Sequence, residues 1–435
     1  MRLIRLLKND IAREASEWVS EDIITQSQAE KICRRYGVDY DQVKNRSLGY
    51  NVLVALGYLF IGLAVITLIG ANWDNIPRAV RMWGLIVLTV GTQGIALRKY
   101  LSREKSAATG VFLLGNLFYG ASIILIAQIY HLGEHMPDGV FWWATGCLPI
   151  AILINSPWIA LQSTLLGMLW FYLELDMGFY PALFPLFILG ALLVLYRGKQ
   201  SIGLFLTAVA SIGFWVEYSL AEYWRQGNYY SFHAEHLPVS AALFIFAYMF
   251  SHWLKGRQSV VAKDYAAVLA VWTLRFGLIL MFIMSFEQPW RRLIRANWEH
   301  TMSMWIIIAV ISGFSLFLAY KAERINRAIY IMPFYLISII AVLVSGNRDH
   351  AVYFQIIYNL ALITTGIWLI LRGIQNGMSH YFFLGVLSIL LTAFMRYIDL
   401  IGDYIGGALL FMVCAIVLLG AAKYWKNYEP GREAA

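Results

Sequence analysis

Ser303-Met304-Trp305-Ile306-Ile307-Ile308-Ala309-Val310-Ile311-Ser312-Gly313-Phe314-Ser315-Leu316-Phe317-Leu318-Ala319-Tyr320 contains no charged residue and no proline. A helix rises about 1.5 Å per residue, so this stretch reaches about 27 Å, close to the ~30 Å hydrocarbon core of a bilayer. Its apolar residues run continuously, without the alternation of a barrel strand. Where water is absent, a helix satisfies its own backbone N–H and C=O groups. The stretch reads as a transmembrane helix.

Runs of the same kind recur on both sides of it, at 50–71, 79–98, 108–130, 139–155, 158–174, 179–196, 201–221, 238–254, 265–285, 328–346, 351–371, 379–395 and 405–423. With 303–320 they make fourteen. The breaks Asn155-Ser156-Pro157 and Asp176-Met177-Gly178 are short, so the fourth to sixth runs are the least sharply bounded. The expected fold is all-α: a polytopic transmembrane helix bundle over residues 48–424, followed by a tail at 425–435. Composition agrees, with 60% hydrophobic and 14% charged residues, where a soluble chain carries about 25% charged.

Residues 1–47 read as a separate helical hairpin. Ile4, Leu7, Ile11, Ala15 and Trp18 recur at helical spacing. Thr25-Gln26-Ser27-Gln28 offers a capping box for a second helix that carries Ala29, Ile32 and Cys33 and stops at Gly37. No apolar h-region precedes it, so no cleavable signal peptide is expected.

The net charge of +8 does not form a nucleic-acid patch, because the basic residues recur between apolar runs. Counted over fourteen spans from a cytoplasmic N-terminus, 25 of the 34 Lys and Arg residues fall inside and eight outside (Arg78, Arg81, Arg225, Arg291, Arg292, Arg295, Arg348 and Arg396). Arg275 lies within a span. That bias follows the positive-inside rule and places both termini in the cytoplasm, for a protein of the inner membrane. Cys33, Cys147 and Cys414 are too far apart in sequence to suggest a metal or disulfide framework.

Two stretches carry a family likeness. One is Trp18, Ile23-Ile24-Thr25, Gln28-Ala29, Ile32 and Tyr36-Gly37, leading through a first span into Ala71-Asn72-Trp73-Asp74-Asn75-Ile76-Pro77-Arg78. The other is Tyr381-Phe382-Phe383-Leu384-Gly385 followed by Arg396-Tyr397-Ile398-Asp399 and a last span. Over about the first hundred and last sixty residues the chain resembles the bacterial membrane-protein family known as domain of unknown function 2157. Relatives tend to place an aromatic residue where this chain has Ile398. The resemblance implies a membrane location and topology, and no activity.

Several residues stand out as candidate sites. Arg275, in the middle of Trp272-Thr273-Leu274-Arg275-Phe276-Gly277, is expected to face the bundle and pair with Glu217 or Glu174. A charge at that depth costs at least ~2.5 kcal/mol even on insertion scales. Such a pair is either a structural clamp or a substrate site, and Arg275→Ala is expected to do more harm than Arg225→Ala. Pro289-Trp290-Arg291-Arg292-Leu293-Ile294-Arg295-Ala296-Asn297-Trp298 places Trp290, Leu293, Ile294, Asn297 and Trp298 on one helical face and the arginines mostly on the other. It reads as an interfacial helix lying on the membrane, or as a cationic site for a lipid phosphate or other anion at Arg291, Arg292 and Arg295.

The pairs His131/His135 and His233/His236 have spacings that can share a metal on a helix, although solvated loop histidines are the preferred reading and no metal is assigned. Asn72, Trp73, Asp74 and Pro77 read as an interfacial anchor with a helix cap, or as part of an outer vestibule. Arg396 and Asp399, flanking Tyr397, can pair on one helical face. Phosphate-binding loops, dinucleotide fingerprints, nucleophile elbows and kinase signatures are absent from the sequence, and no cofactor is expected. Intramembrane carboxylates are scarce, which speaks against a proton relay.

Three functions remain. The first is transport or lipid and anion handling, with membrane lipids as partners. The second is a sensor, scaffold or regulator that binds a cytoplasmic protein through residues 1–47. The third is a membrane enzyme acting at the outer face. A polar cavity reaching Arg275 favours transport, and a dry bundle with a prominent hairpin surface favours scaffolding.

Overall fold

A computed structural model describes residues 14–16, 18–35, 76–131, 135–225 and 232–399, with a few isolated positions beside them. The chain forms two compact units, Met1–Glu134 and His135–Ala435. The described residues are helical with no strand. Among the described residues, eleven helices are long and apolar enough to cross a membrane. The fold is an all-helical membrane protein, as the apolar runs predict. The expected runs at 50–71 and 405–423, and the expected boundary at residue 47, lie outside the described residues apart from isolated positions.

In the first unit, residues 18–20 lead through a turn into α1 (Gln26–Arg35). The Thr25 backbone N–H donates to Gln28 Oε1 at 2.8 Å and the Gln28 N–H donates to Thr25 Oγ1 at 3.4 Å, which is the reciprocal cap the sequence predicts. Ala15, Ala29 and Cys33 form the small core, with Val19 and Ile24 against it.

α2 (Arg78–Leu101) and α3 (Lys105–Tyr130) pack as an antiparallel pair. Their contact is partly polar: Gln93 Nε2 donates to Asn116 Oδ1 at 3.0 Å, and the Thr89 and Ser122 hydroxyls meet at 2.9 Å. Such bonds replace the hydrophobic drive that lipid does not supply between helices. Pro77 directly precedes Arg78 in the capping position, where it makes no side-chain cap.

The second unit begins with α4 (Met136–Leu153), α5 (Pro157–Asp176), α6 (Pro185–Arg197) and α7 (Ile202–Tyr223). Phe141, Trp170, Phe171, Phe184 and Phe187 interlock at their centre. A Cβ on Gly167 would stand 2.7 Å from the Phe187 ring, so only glycine admits this approach of α5 and α6. α6 spans 13 residues, about 20 Å, which is short for a ~30 Å core. Turns at Pro181–Phe184 lead into it.

The remainder is α8 (His236–Lys255), α9 (Val260–Ile283), the short α10 (Glu287–Arg295), α11 (Thr301–Lys321), α12 (Ile325–Val344), α13 (Ala351–Asn376) and α14 (Ser379–Asp399). α8 packs on α9 and α11, and α13 packs closely on α14. A Cβ on Gly373 would lie 2.6 Å from the Phe382 backbone nitrogen, so glycine lets these two helices nearly touch. α10 lies across the end of α9, the end of α12 and the start of α13, with Trp290 buried against Met284, Val342, Ala351 and Phe354.

Candidate functional site

Two carboxylates of the second unit, Glu174 and Glu217, are held by histidines rather than by arginine. Glu174, in the last turn of α5, lies 2.9 Å from His135 Nε2 and accepts the Trp170 indole N–H at 2.8 Å. His135 stands just before α4, and Asp138 is in that helix's first turn. One ligand atom from each of His135, Asp138 and Glu174 lies within 4.8 Å of the others, close enough to share a cation.

Glu217 of α7 lies 2.8 Å from His236 Nδ1 and accepts the Ser240 hydroxyl at 2.6 Å. Next to His236, the wholly buried Glu235 accepts the His300 backbone N–H at 2.8 Å. Trp224 stacks on the His300 ring at 5.6 Å, meets His236 edge-on and donates its indole N–H to Ser303. Glu235 Oε2, His236 Nε2 and His300 Nε2 are buried without hydrogen-bond partners. The two groups are therefore compact polar islands in an apolar bundle.

Several sequence expectations need correction. Arg275 is exposed and pairs with neither Glu217 nor Glu174; its guanidinium lies 5.3 Å from the Trp272 ring. The reason is azimuth. At this level α9 turns Thr273 inward, and Arg275, the second residue after it, points about 200° away, on the side of the exposed Trp272 and Phe276. The two carboxylates already have imidazole partners.

Arg225 is the arginine that ties elements together. Its Nη1 donates to the Gly178 carbonyl at 2.9 Å and to Glu222 at 3.2 Å, and its Nε donates to the Gly227 carbonyl at 2.8 Å. His233 and His236 do not converge as a metal pair: His236 turns to Glu217, while His233 meets the His300 ring edge-on at 5.3 Å. His131 closes α3 in the left-handed conformation and belongs to the first unit, whereas His135 opens the second.

Of the arginines on α10, Arg291 pairs with Glu287 at 2.7 Å, and Arg292 and Arg295 are exposed. Arg396 lies 4.8 Å over the Phe286 ring and Tyr397 is exposed. Asn72, Trp73 and Asp74, and the side chain of Asp399, lie outside the described residues. Sequence reasoning missed Glu235, Trp224, Ser240 and Trp170. Glu235 sits inside the quoted His233-Ala234-Glu235-His236, and only the fold sets it against residue 300.

Beside the second island, α8, α9, α12 and α13 enclose a cleft of about 520 Å³ whose roof is Trp290 and Leu293 of α10, with Trp298 beyond it. Its walls are mostly aliphatic and aromatic. Four of the hydroxyls that line it are bonded to carbonyls: Ser338 donates to the Phe334 carbonyl, Thr364 to Leu360 and Thr365 to Ala361, each in its own helix, while Tyr335 donates to the Pro238 carbonyl. Phe244, Tyr330 and Phe334 line the cleft and are exposed, so it opens at the surface. Gly277 also lines it, and Arg275 does not.

The family described as predicted membrane protein (DUF2157) matches residues 16–160 of the chain. That segment covers the hairpin from residue 16 onward and the Asn72 to Arg78 motif, and ends before Tyr381 and Arg396. No curated protein and no solved structure matches.

Proposed function

We propose that this membrane protein handles a lipid: the cleft beneath α10 takes up an acyl chain, and Arg292 and Arg295 hold the phosphate at the membrane surface. The observation that carries this reading is the cleft itself, about 520 Å³ of mostly apolar wall with four of its hydroxyls bonded back to protein carbonyls. The size falls within the ~300–1,000 Å³ of small-molecule sites. Its lining suits hydrocarbon and does not suit a hydrated ion, which needs polar groups to replace its water.

Exposed guanidiniums on the roof helix supply paired donors for phosphate oxygens. The charge bias of the sequence supports placing α10 at the outer face of the inner membrane, with both termini cytoplasmic. Native mass spectrometry of the detergent-extracted chain tests the reading. Ala361→Phe, which fills the cleft, and Arg292→Glu with Arg295→Glu should each lower the retained lipid. Equal lipid retention in all three proteins would exclude it.

A regulatory reading has separate support. The hairpin buries only a small core and leaves Trp18 and Ile23 exposed, at 37% and 63% of their full surface, which suits a partner protein at residues 1–47. Loss of partner capture on Ile23→Asp, with lipid retention unchanged, would favour it over the cleft.

A further inference from the structure

At the end of the second unit opposite α10, four cations converge from separate elements. Lys255 ends α8, Arg324 and Arg327 stand at the start of α12, and Arg372 lies near the end of α13. The charges of Arg324, Arg327 and Arg372 bear on Lys255, and those of Arg324 and Arg327 bear on Arg372.

Arg327 is drawn inward: Nη1 donates to the Tyr248 hydroxyl at 3.0 Å and also to His252 Nε2. His252 Nδ1 lies 2.9 Å from the Tyr248 carbonyl, so it carries the ring proton there and Nε2 is left to accept. That imidazole is neutral and offsets no positive charge. None of the ion pairs among the described residues includes Lys255, Arg324 or Arg327, although Glu323 stands in the adjoining turn.

Cations at cytoplasmic helix ends serve topology, and for that purpose they need only reach the headgroup layer. Topology alone does not require a guanidinium turned in against Tyr248 and His252, nor charges from three helices gathered in one place at the cost of mutual repulsion.

We propose that Lys255, Arg327 and Arg372 form a binding site for a phosphate-bearing anion, either the headgroup of an anionic lipid or free phosphate. Two guanidiniums supply paired donors to the oxygens, and the lysine adds a point charge. Arg324, exposed at the rim, draws the anion in. The site lies at the other end of the helices that line the cleft, so it stands or falls apart from the acyl-chain reading.

The test uses the full chain in nanodiscs of phosphatidylcholine, titrated with inorganic phosphate, and in nanodiscs containing added phosphatidylglycerol. The thermal unfolding midpoint is followed in both. The midpoint of the native chain should rise. Response to both probes identifies a free-anion site, and response to phosphatidylglycerol alone identifies a headgroup site. Arg372→Gln and Lys255→Gln should each weaken the response at least about tenfold, the share of one charge-assisted hydrogen bond. Arg327→Lys, which keeps the charge and loses the fork, should weaken it too. Lys105→Gln, in the other unit, should leave it unchanged. No response to either probe, or a native response in both Arg372→Gln and Lys255→Gln, would overturn the proposal. The Lys255 side of the test survives any folding defect at the half-buried Arg327 and Arg372, because Lys255 is exposed.

Discussion

His236 Nδ1, in the first turn of α8, lies 2.8 Å from Glu217 Oε2 on α7. Each group alone would be costly inside an apolar bundle, and together they hold two helices that share few other polar contacts. His236→Ala leaves Glu217 with the Ser240 hydroxyl alone and should destabilise the chain by about 3–5 kcal/mol. Glu217→Gln keeps one acceptor oxygen, turns the other contact to an amide donor and removes the buried charge, and should cost less. Unfolding in detergent, followed by circular dichroism, ranks the two. A His236→Ala chain as stable as the native one would contradict the pairing.

Arg225→Ala should destabilise more than Arg275→Ala, the reverse of the order the sequence suggests. Arg225 donates to two carbonyls and a carboxylate, and each lost charge-assisted bond is worth about 1.5–3 kcal/mol. Arg275 loses only its place beside Trp272. The same unfolding assay decides, and equal losses would remove the structural role assigned to Arg225.

Helical glycines should divide by their surroundings. Gly84 has nothing near an added Cβ, so Gly84→Ala should stabilise its helix by up to about 1 kcal/mol. Gly373→Ala meets the Phe382 backbone and should destabilise the α13–α14 pair despite the same gain in propensity. Midpoints shifted in the same direction would refute that close approach.

Burial raises the Cys33 thiol above its ordinary 9.0. The folded hairpin therefore holds the proton more tightly than the unfolded chain, and its stability should fall as pH rises through 9.0. Alkylation of Cys33 at neutral pH should be slow in the native chain and fast once Ala29→Asp opens the core. Rapid alkylation of native Cys33 would contradict the packing of Ala15, Ala29 and Cys33.

Features legible in the sequence are local. Continuous apolar runs define helices, Thr25 and Gln28 are three residues apart, and Trp290, Leu293 and Ile294 share a face by helical spacing alone. The orientation of Arg275 is not local. α9 is apolar nearly all round, so its pattern does not say which side meets α13. The partners of Glu174 and Glu217 lie 39 and 19 residues away across loops, where spacing carries no information. The cleft is a space between four helices, set by packing and by hydroxyls that fold back on their own carbonyls.

Nitroxide labelling at Ser338 probes the cleft most directly, with collision rates read for oxygen and for a water-soluble nickel chelate in reconstituted bilayers. A hydrocarbon-filled cleft predicts ready access by oxygen and exclusion of nickel relative to a label at the exposed Arg257. Nickel reaching position 338 as freely as position 257 would mean that water fills the space, and the lipid account would fail.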